Sequence, residues 1–451
     1  VCKGDISMTA PVARRGFSEE AIHALNERQG EPAWMQERRL ESWKIYDSLP
    51  MPTRQDEEWR RTDLRPLKLN DIAPFAEGAA VAESLLPEAE RGEAFAGVLG
   101  LRNGEQAEYT LRDDLREQGV IFSDLRSAVR EHGDLVREHF MTRCVPPADS
   151  KFAALHGAFW QNGVFLYVPK GVSVVEPFRV IVSAALRGSA SLTHTLVVLD
   201  EGAQATLVED ALSDETDEQG LSSRVVELIL ERGSILHYVG TQRLGRAVFD
   251  FHTERALLGR DTNVNLQTIE LGSRLSKGRV ESILVGDGAS AKLHGLYIAD
   301  GKQHMDRYTL QDHRAASGTS DLLFKGVVTD EARSVFSGMI RVAPAGVKTA
   351  AYQQNRNLLL SRKARADSIP NLEIGANDII GCSHGATVGK VDEEQLFYLM
   401  CRGLTRVDAT RLIVEGFVDP LVAEVPVASL RDALRHEISA RVGEAETALA
   451  S

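Results

Sequence analysis

Two metal-binding residue types, Cys382 and His384, stand two positions apart in the run GCSHGATVG at 381–389, which is typical of a β-strand. Side chains at positions i and i+2 of a strand leave the same face, so the thiol and the imidazole are expected to point the same way. This pair suits iron, zinc or an iron–sulfur centre, but it supplies only two of the usual four ligands. The spacing therefore predicts a half-site that a second surface completes. In the alternative interpretation neither residue binds a metal: Cys382 packs as a small apolar residue, and His384 is an ordinary strand residue.

The elements that must position this pair are strands. Beyond residue 158 the chain consists of short runs rich in Val, Ile, Leu and Phe, separated by Gly, Asp, Ser and charged residues. A charged residue followed by glycine recurs at Gly171, Gly202 and Gly233, at two intervals of 31 residues. Such a period without helical patterning predicts a stacked β-solenoid, although a β-sandwich also shows regularly spaced strands.

Helical patterns flank this β-rich part, and they divide the chain into residues 1–158, 159–390 and 391–451. The first part is predicted to be helical or α/β, with Ser18 and Gly30 delimiting its first helix. In the last part a capping box at Asp392 opens a helix, and a second helix is expected to run from Thr405 to Gly416, before a break in the chain at Asp419-Pro420. The C-terminal helices are too few to form a core alone, so they must pack on the solenoid or on a partner.

Composition excludes several classes of function. The chain has 451 residues, with 52 Lys and Arg against 65 Asp and Glu, and a net charge of −13 argues against a nucleic-acid or anionic-membrane surface. No apolar run approaches the length of a membrane span, and the run VCKGDISMTAPVARRGF at 1–17 lacks the hydrophobic core of a signal peptide. A cytoplasmic location is therefore expected. The four cysteines are widely scattered, which predicts reduced thiols: Cys2, Cys144, Cys382 and Cys401.

Three runs near the C-terminus give the chain a resemblance to a known family. They are YQQNRNLLL at 352–360, DSIPNLEIGANDIIGCSHGATVG at 367–389 and DEEQLFYLMCRGL at 392–404. In order and spacing they resemble the SufB/SufD family of iron–sulfur cluster assembly scaffolds, and SufD most of all. The run FAALHGAFWQNGVFLYVPKGVSVVEPF at 152–178 is similar to the start of that family's β-helix. The resemblance implies a mainly β fold with a right-handed parallel β-helix core.

The same resemblance implies a function and partners. His384 falls on the SufD position implicated in cluster assembly, with Cys382 beside it, whereas Asn355 stands where SufB relatives carry a cysteine. The chain is then expected to be a non-enzymatic subunit of a SufBCD complex. It would pair with SufB through the end strands of the two β-helices and dock the SufC ATPase on residues 391–451. A transient cluster or iron would be shared with SufB, with none held tightly by the isolated chain, which could instead pair with itself.

Two other functions stay open at this level. The strands at 352–390 could provide an edge for β-pairing without any metal role. A carbohydrate-active hydrolase or lyase would need convergent acids, for which Asp306, Asp312 and Asp330 are the candidates. The run GATVGK at 385–390 lacks the spacing of a phosphate-binding loop and is rejected. The acidic run at 210–223 is expected to be a mobile loop.

Overall fold

The computed structural model describes residues 16–75 and 84–450, so Cys2 lies outside the described residues. Its helices are α1 Glu19–Gln29, α2 Ala33–Ser48, α3 Asp113–Glu117, α4 Leu125–Glu131, α5 Gly133–His139, α6 Lys151–Phe159, α7 Glu393–Cys401, α8 Arg406–Val422 and α9 Ala428–Ala450. None of the helices in these two ranges is long and apolar enough to cross a membrane. The N-terminal part holds both helices and strands.

The strands run from residue 97 to residue 390. They are β1 Gly97–Arg102, β2 Glu105–Leu111, β3 Ile121–Asp124, β4 Asn162–Val168, β5 Phe178–Ala184, β6 Ala190–Leu199, β7 Gln204–Ser213, β8 Gly220–Leu230, β9 Ile235–Arg243, β10 Val248–Leu258, β11 Asn263–Glu270, β12 Leu275–Leu284, β13 Ser290–Ala299, β14 His304–His313, β15 Thr319–Val328, β16 Arg333–Val342, β17 Ala350–Leu359, β18 Arg365–Ile374 and β19 Gly381–Lys390.

These strands form the predicted parallel β-solenoid and exclude the sandwich. From β4 onward, even-numbered strands stack in one sheet and odd-numbered strands in the other, so each coil gives one strand to each sheet and eight coils are stacked. The antiparallel strands β2 and β3 close the N-terminal end of the two sheets. At the other end β18 and β19 are the last strands of their sheets. The solenoid is thus covered at one end and open at the other.

Glycine turns at corresponding corners explain the period of 31 residues. Gly171, Gly202 and Gly233 have φ of 72°, 69° and 70°, in the left-handed region that glycine adopts without strain. The amide of Gly171 donates to the carbonyl of Glu201, and the amide of Gly202 donates to that of Arg232. The turns therefore stack on one another as the strands do.

The helices cover the outer faces of both sheets. Helices α2, α4 and α5 pack on the even-numbered strands, where Met35, Leu125 and Val136 join a cluster with Leu196 and Val225. Helices α8 and α9 pack on the odd-numbered strands through a second apolar cluster. Because both faces of the sheets are buried, central strands such as β6 and β8 are buried along their whole length. The C-terminal helices thus find their packing surface on the solenoid of their own chain.

Two local expectations are wrong. Helix α8 does not end at Gly416 but continues through Asp419-Pro420 to Val422. Pro420 removes a single helical hydrogen bond in the last turn, while Leu421 and Val422 are buried against the sheet. The acidic run at 210–223 is not one loop, since β7 extends to Ser213 and β8 begins at Gly220. Asp210 is fully buried there because guanidinium groups of Arg179 and Arg243 pair with it, a compensation that its acidic neighbours in sequence do not reveal.

Candidate metal centre

The register of β19 on β17 sets the direction of Cys382 and His384. Cys382 pairs with Ala351 and His384 with Gln353, and both residues of β17 are buried in the interior of the solenoid. Residues that pair in a parallel ladder project to the same face. Cys382 and His384 therefore both point into the interior of the last coil, which confirms that they share a face.

No further coil covers this end of the solenoid in the described residues. Cys382 is half-buried and packs beside Ile340 and Val342, whereas His384 is exposed. Three apolar side chains that line up with buried positions of the preceding coil are also open to solvent, with exposed fractions of 38%, 43% and 44%: Leu372, Ile374 and Val388. An exposed interior lined by apolar residues is a surface that another protein can cover. We call Leu372, Ile374 and Val388 the apolar rim.

The end coil offers two side chains of metal-binding types, the thiol of Cys382 and the imidazole of His384. Burial raises the pKa of the Cys382 thiol, against a backbone hydrogen bond at Ala351, so a metal must displace its proton. Across residues 16–75 and 84–443, no third His, Cys, Asp or Glu joins Cys382 and His384 in a group that could hold a metal ion. The two donors can therefore hold iron or a cluster only together with ligands from elsewhere.

Asn355 lies in the interior one coil before the pair. It is 1% exposed, its Nδ2 donates to the carbonyl of Phe324 at 3.3 Å, and its Oδ1 accepts from Asn357 Nδ2 at 2.7 Å. It pairs with Ala386, two positions from His384 on β19. A cysteine at this position would face the same interior, but this chain supplies an amide that is already hydrogen-bonded.

The other sequence candidates do not form a site. Asp306 pairs with Lys277 at 2.9 Å and Asp312 with Arg314 at 2.8 Å, at opposite ends of β14, while Asp330 lies in a turn. The run GATVGK is part of β19 and is extended, so it forms no phosphate-binding loop. Cys144 is a buried free thiol, and Cys401 is an exposed one at the end of α7.

A second exposed apolar surface lies on the C-terminal helices. On α7, Phe397, Tyr398 and Met400 are 69%, 56% and 42% exposed, and Leu404 and Leu412 extend the surface toward α8. Of the α7 residues, only Leu396 is buried. We call these five exposed residues the α7 surface. Large apolar side chains in such a group are typical of a protein contact.

Sequence reasoning missed the polar interior of the middle coils, where Asp250, His252 and Glu254 are buried. The signal was present, because these three residues alternate along one strand and must share a face. Alternating charged residues usually mark the solvent-facing side of a strand, so the pattern alone does not indicate burial. Only the stacking of the coils shows that this side is the inside.

The fold and the end coil define a class of protein: a β-solenoid whose open end presents soft metal donors without a complete ligand set. The model for "SUF system FeS cluster assembly, SufBD core domain" matches residues 181–417, and that for the SufBD protein N-terminal region matches residues 99–180. Curated relatives include the iron-sulfur cluster assembly protein SufB of Bacillus subtilis and SufBD family proteins of Staphylococcus epidermidis and Staphylococcus aureus. Each is 30% identical over 431 residues, which cover 92% of this chain and 91% of the relative.

The chain belongs to the SufBD family of iron–sulfur cluster assembly proteins. The relatives are named SufB or SufBD family, so the choice between the two subunit types depends on individual residues of this chain.

Proposed function

We propose that this chain is a SufD-like, non-enzymatic scaffold subunit of a cytoplasmic SufBCD complex, and that it builds iron–sulfur clusters at a site shared with SufB. The observation that carries the proposal is the open last coil, where Cys382 and His384 point into an uncovered interior without a third donor. Covering that coil with the corresponding end of SufB would bury the apolar rim and bring further ligands to the pair.

The SufD-like assignment is supported by Asn355. A hydrogen-bonded amide replaces the cysteine that SufB relatives carry, so this chain brings fewer thiolates than a SufB subunit to the shared interior. Thiolates are the usual ligands of iron–sulfur clusters. A subunit of this type contributes His384 and Cys382 and depends on its partner for the rest.

The α7 surface is the proposed docking site for the SufC ATPase. Helix α7 begins three residues after β19 ends, so the strand that carries Cys382 and His384 leads directly into it. A force that SufC exerts on α7 when it binds ATP and dimerises would thus act on the last coil through residues 391–392. In this proposal the pull opens the seam with SufB and admits iron and sulfur.

The test is reconstitution with SufB and SufC, followed by native mass measurement and iron and sulfide analysis. His384→Ala should leave the mass of the complex unchanged and reduce its iron and sulfide content, because a ligand is lost while the apolar rim stays. His23→Ala is the matched control, since His23 lies exposed on α1 far from the seam in sequence. Unchanged loading in His384→Ala contradicts the ligand role.

A metal-free pairing role is the second candidate, favoured by the open strands β18 and β19. Leu372→Asp separates the two, because it places a charge on the apolar rim without removing a donor. We expect it to prevent pairing with SufB, and with a second copy of this chain if the isolated chain dimerises. If Leu372→Asp abolishes pairing, but replacing His384 or Cys382 leaves the iron and sulfide content of the complex unchanged, the chain is an interaction protein only.

A further inference from the structure

The interior of the middle coils holds a buried charged cluster that the end coil does not explain. Asp250, His252 and Glu254 occupy alternate positions of β10, and Glu270 projects toward them from β11 on the opposite sheet. All four residues are at most 3% exposed. Asp250, His252 and Glu270 each offer a ligand atom within 4.8 Å of the others.

The hydrogen bonds of this cluster set the tautomer of His252. Its Nδ1 lies 3.0 Å from Oδ2 of Asp250, and because an ionised carboxylate only accepts, Nδ1 carries the hydrogen. Asp250 is also held by Ser222 at 2.7 Å and by Arg224 at 3.1 Å. Burial alone would raise the pKa of Asp250, but Arg224 and His252 hold it well below its usual range. Asp250 is therefore ionised and firmly oriented.

The other ring nitrogen is left facing a carboxylate. With the hydrogen on Nδ1, the neutral form of the ring has a lone pair on Nε2. This atom lies 3.2 Å from Glu270 Oε1, and neither atom has a hydrogen-bond partner among the described residues. Two acceptors at this distance repel each other unless a metal ion or a proton lies between them.

Glu254 adds a second unpartnered acceptor group. It is fully buried, and neither carboxylate oxygen has a hydrogen-bond partner within residues 16–75 and 84–443. Its side chain shares the interior face with His252, two positions earlier on β10. A buried carboxylate without a partner is expensive in free energy, so either a proton or a cation outside the described side chains must compensate it.

The charge of the interior is unbalanced by two. It contains four carboxylates but only two guanidinium groups: Glu209, Asp250, Glu254 and Glu270 against Arg224 and Arg307. Both guanidinium groups are already engaged, Arg224 with Asp250 and Arg307 with Glu270 Oε2. A doubly charged cation would balance the interior charge when all four carboxylates are ionised.

Glycine keeps space open beside the free nitrogen. Gly278 pairs with His252 on the neighbouring strand, and a Cβ there would come within 2.2 Å of His252 Nε2. Gly240 pairs with Thr268 on the neighbouring strand β11, and a Cβ there would lie 3.2 Å from Glu254 Oε1. The absence of both side chains leaves room around the unpartnered acceptors.

From this geometry we propose that the solenoid interior binds one divalent transition-metal ion, with His252 Nε2 and Glu270 Oε1 as ligands, Asp250 orienting the imidazole and the unpartnered carboxylate of Glu254 supplying further negative charge in the same interior. A carboxylate behind a metal-binding histidine is the usual arrangement of such sites. One imidazole with carboxylates selects the class of Fe²⁺, Mn²⁺, Co²⁺ and Zn²⁺ rather than Cu⁺ or Ca²⁺. The site lies four strand spacings, about 19 Å, from β19, so it is independent of the proposed cluster half-site.

Cobalt distinguishes the two sites. The full chain carrying Cys382→Ala and His384→Ala, produced with Co²⁺ in the medium, should retain about one Co²⁺ per chain, whose spectrum shows ligand-field bands without a sulfur charge-transfer band. Adding Glu254→Gln should weaken Co²⁺ binding by more than about tenfold. Glu254→Gln removes no hydrogen bond and relieves a buried charge, so it should not lower the melting temperature of the metal-free chain.

The control is Glu281→Gln, which neutralises a buried carboxylate on the outward face of β12, where Arg255 and Arg279 pair with it. It should leave the Co²⁺ content unchanged. The proposal is overturned if the double variant holds no Co²⁺, because protons then balance the interior charge. It is equally overturned if Glu254→Gln and His252→Gln bind Co²⁺ as the double variant does. If the proposed ligand role of His384 is wrong, the iron and sulfide content of the His384→Ala complex stays unchanged. That result does not bear on Co²⁺ binding in the interior.

Discussion

His304 should make the stability of this protein depend on pH in the mildly acidic range. The residue opens β14 and faces the N-terminal segment, where the hydroxyl of Thr62 lies 2.9 Å from its Nε2. Burial lowers its pKa from 6.5 to about 4, with Arg333 and Lys277 adding to the shift and Asp306 and Asp367 opposing it. The folded chain therefore holds His304 neutral, whereas the unfolded chain protonates it near pH 6.5.

The sign and size of the effect follow from linkage. Because the folded pKa is depressed, the unfolded state binds more protons between pH 6.5 and 4, and stability falls as the pH falls through that window. For a shift from 6.5 to about 4, His304 should remove about 2 kcal/mol of the free energy of unfolding between pH 7 and pH 5. His313, whose pKa burial also lowers to about 4, should contribute a similar amount.

The assay is urea unfolding of the wild type and of His304→Gln at pH 7 and pH 5. Glutamine can still hydrogen-bond Thr62 but does not titrate, so the loss of stability between the two pH values should be about 2 kcal/mol smaller in the variant. His23→Gln, on the exposed face of α1, should behave as the wild type. If His304→Gln loses as much stability as the wild type at pH 5, the argument from burial is refuted.

Three further substitutions test the packing. Leu421→Ala, at the buried contact of α8 with the sheet, should lower the free energy of unfolding by about 2–5 kcal/mol. Leu412→Ala, on the exposed side of α8, should leave it unchanged, and equal effects would contradict the packing of α8. Arg39→Ala should lower the free energy of unfolding, measured with urea, by about 3–5 kcal/mol, because it leaves the buried carboxylate of Glu31 without its partner. Combining it with Glu31→Gln should restore part of that free energy. Gly202→Ala should lower thermal stability by about 1–2 kcal/mol because φ is 69°, and a neutral result would count against the turn geometry.

Much of the fold was predictable because its signals are local. The turn glycines at 171, 202 and 233 need a left-handed backbone that glycine alone adopts freely, so they mark the period in the sequence itself. Ser18 caps the start of α1 and Gly30 its end, each through a hydrogen bond to a residue three or four positions away, and both were predicted correctly. The shared face of Cys382 and His384 followed in the same way from the two-residue repeat of a strand.

What the sequence alone determined, then, is the repeating strand unit, both ends of α1 and the shared face of Cys382 and His384 on β19. Only the tertiary structure decided which face of each strand is inside, since period-two alternation looks the same whether the polar side meets water or a neighbouring sheet. It therefore decided that Asp250, His252 and Glu254 are buried together and that Asp210 is paired, because burial of a charge depends on partners far away in the chain. It also decided that the coil of Cys382 and His384 is the uncovered one, because exposure depends on whether another coil stacks on it.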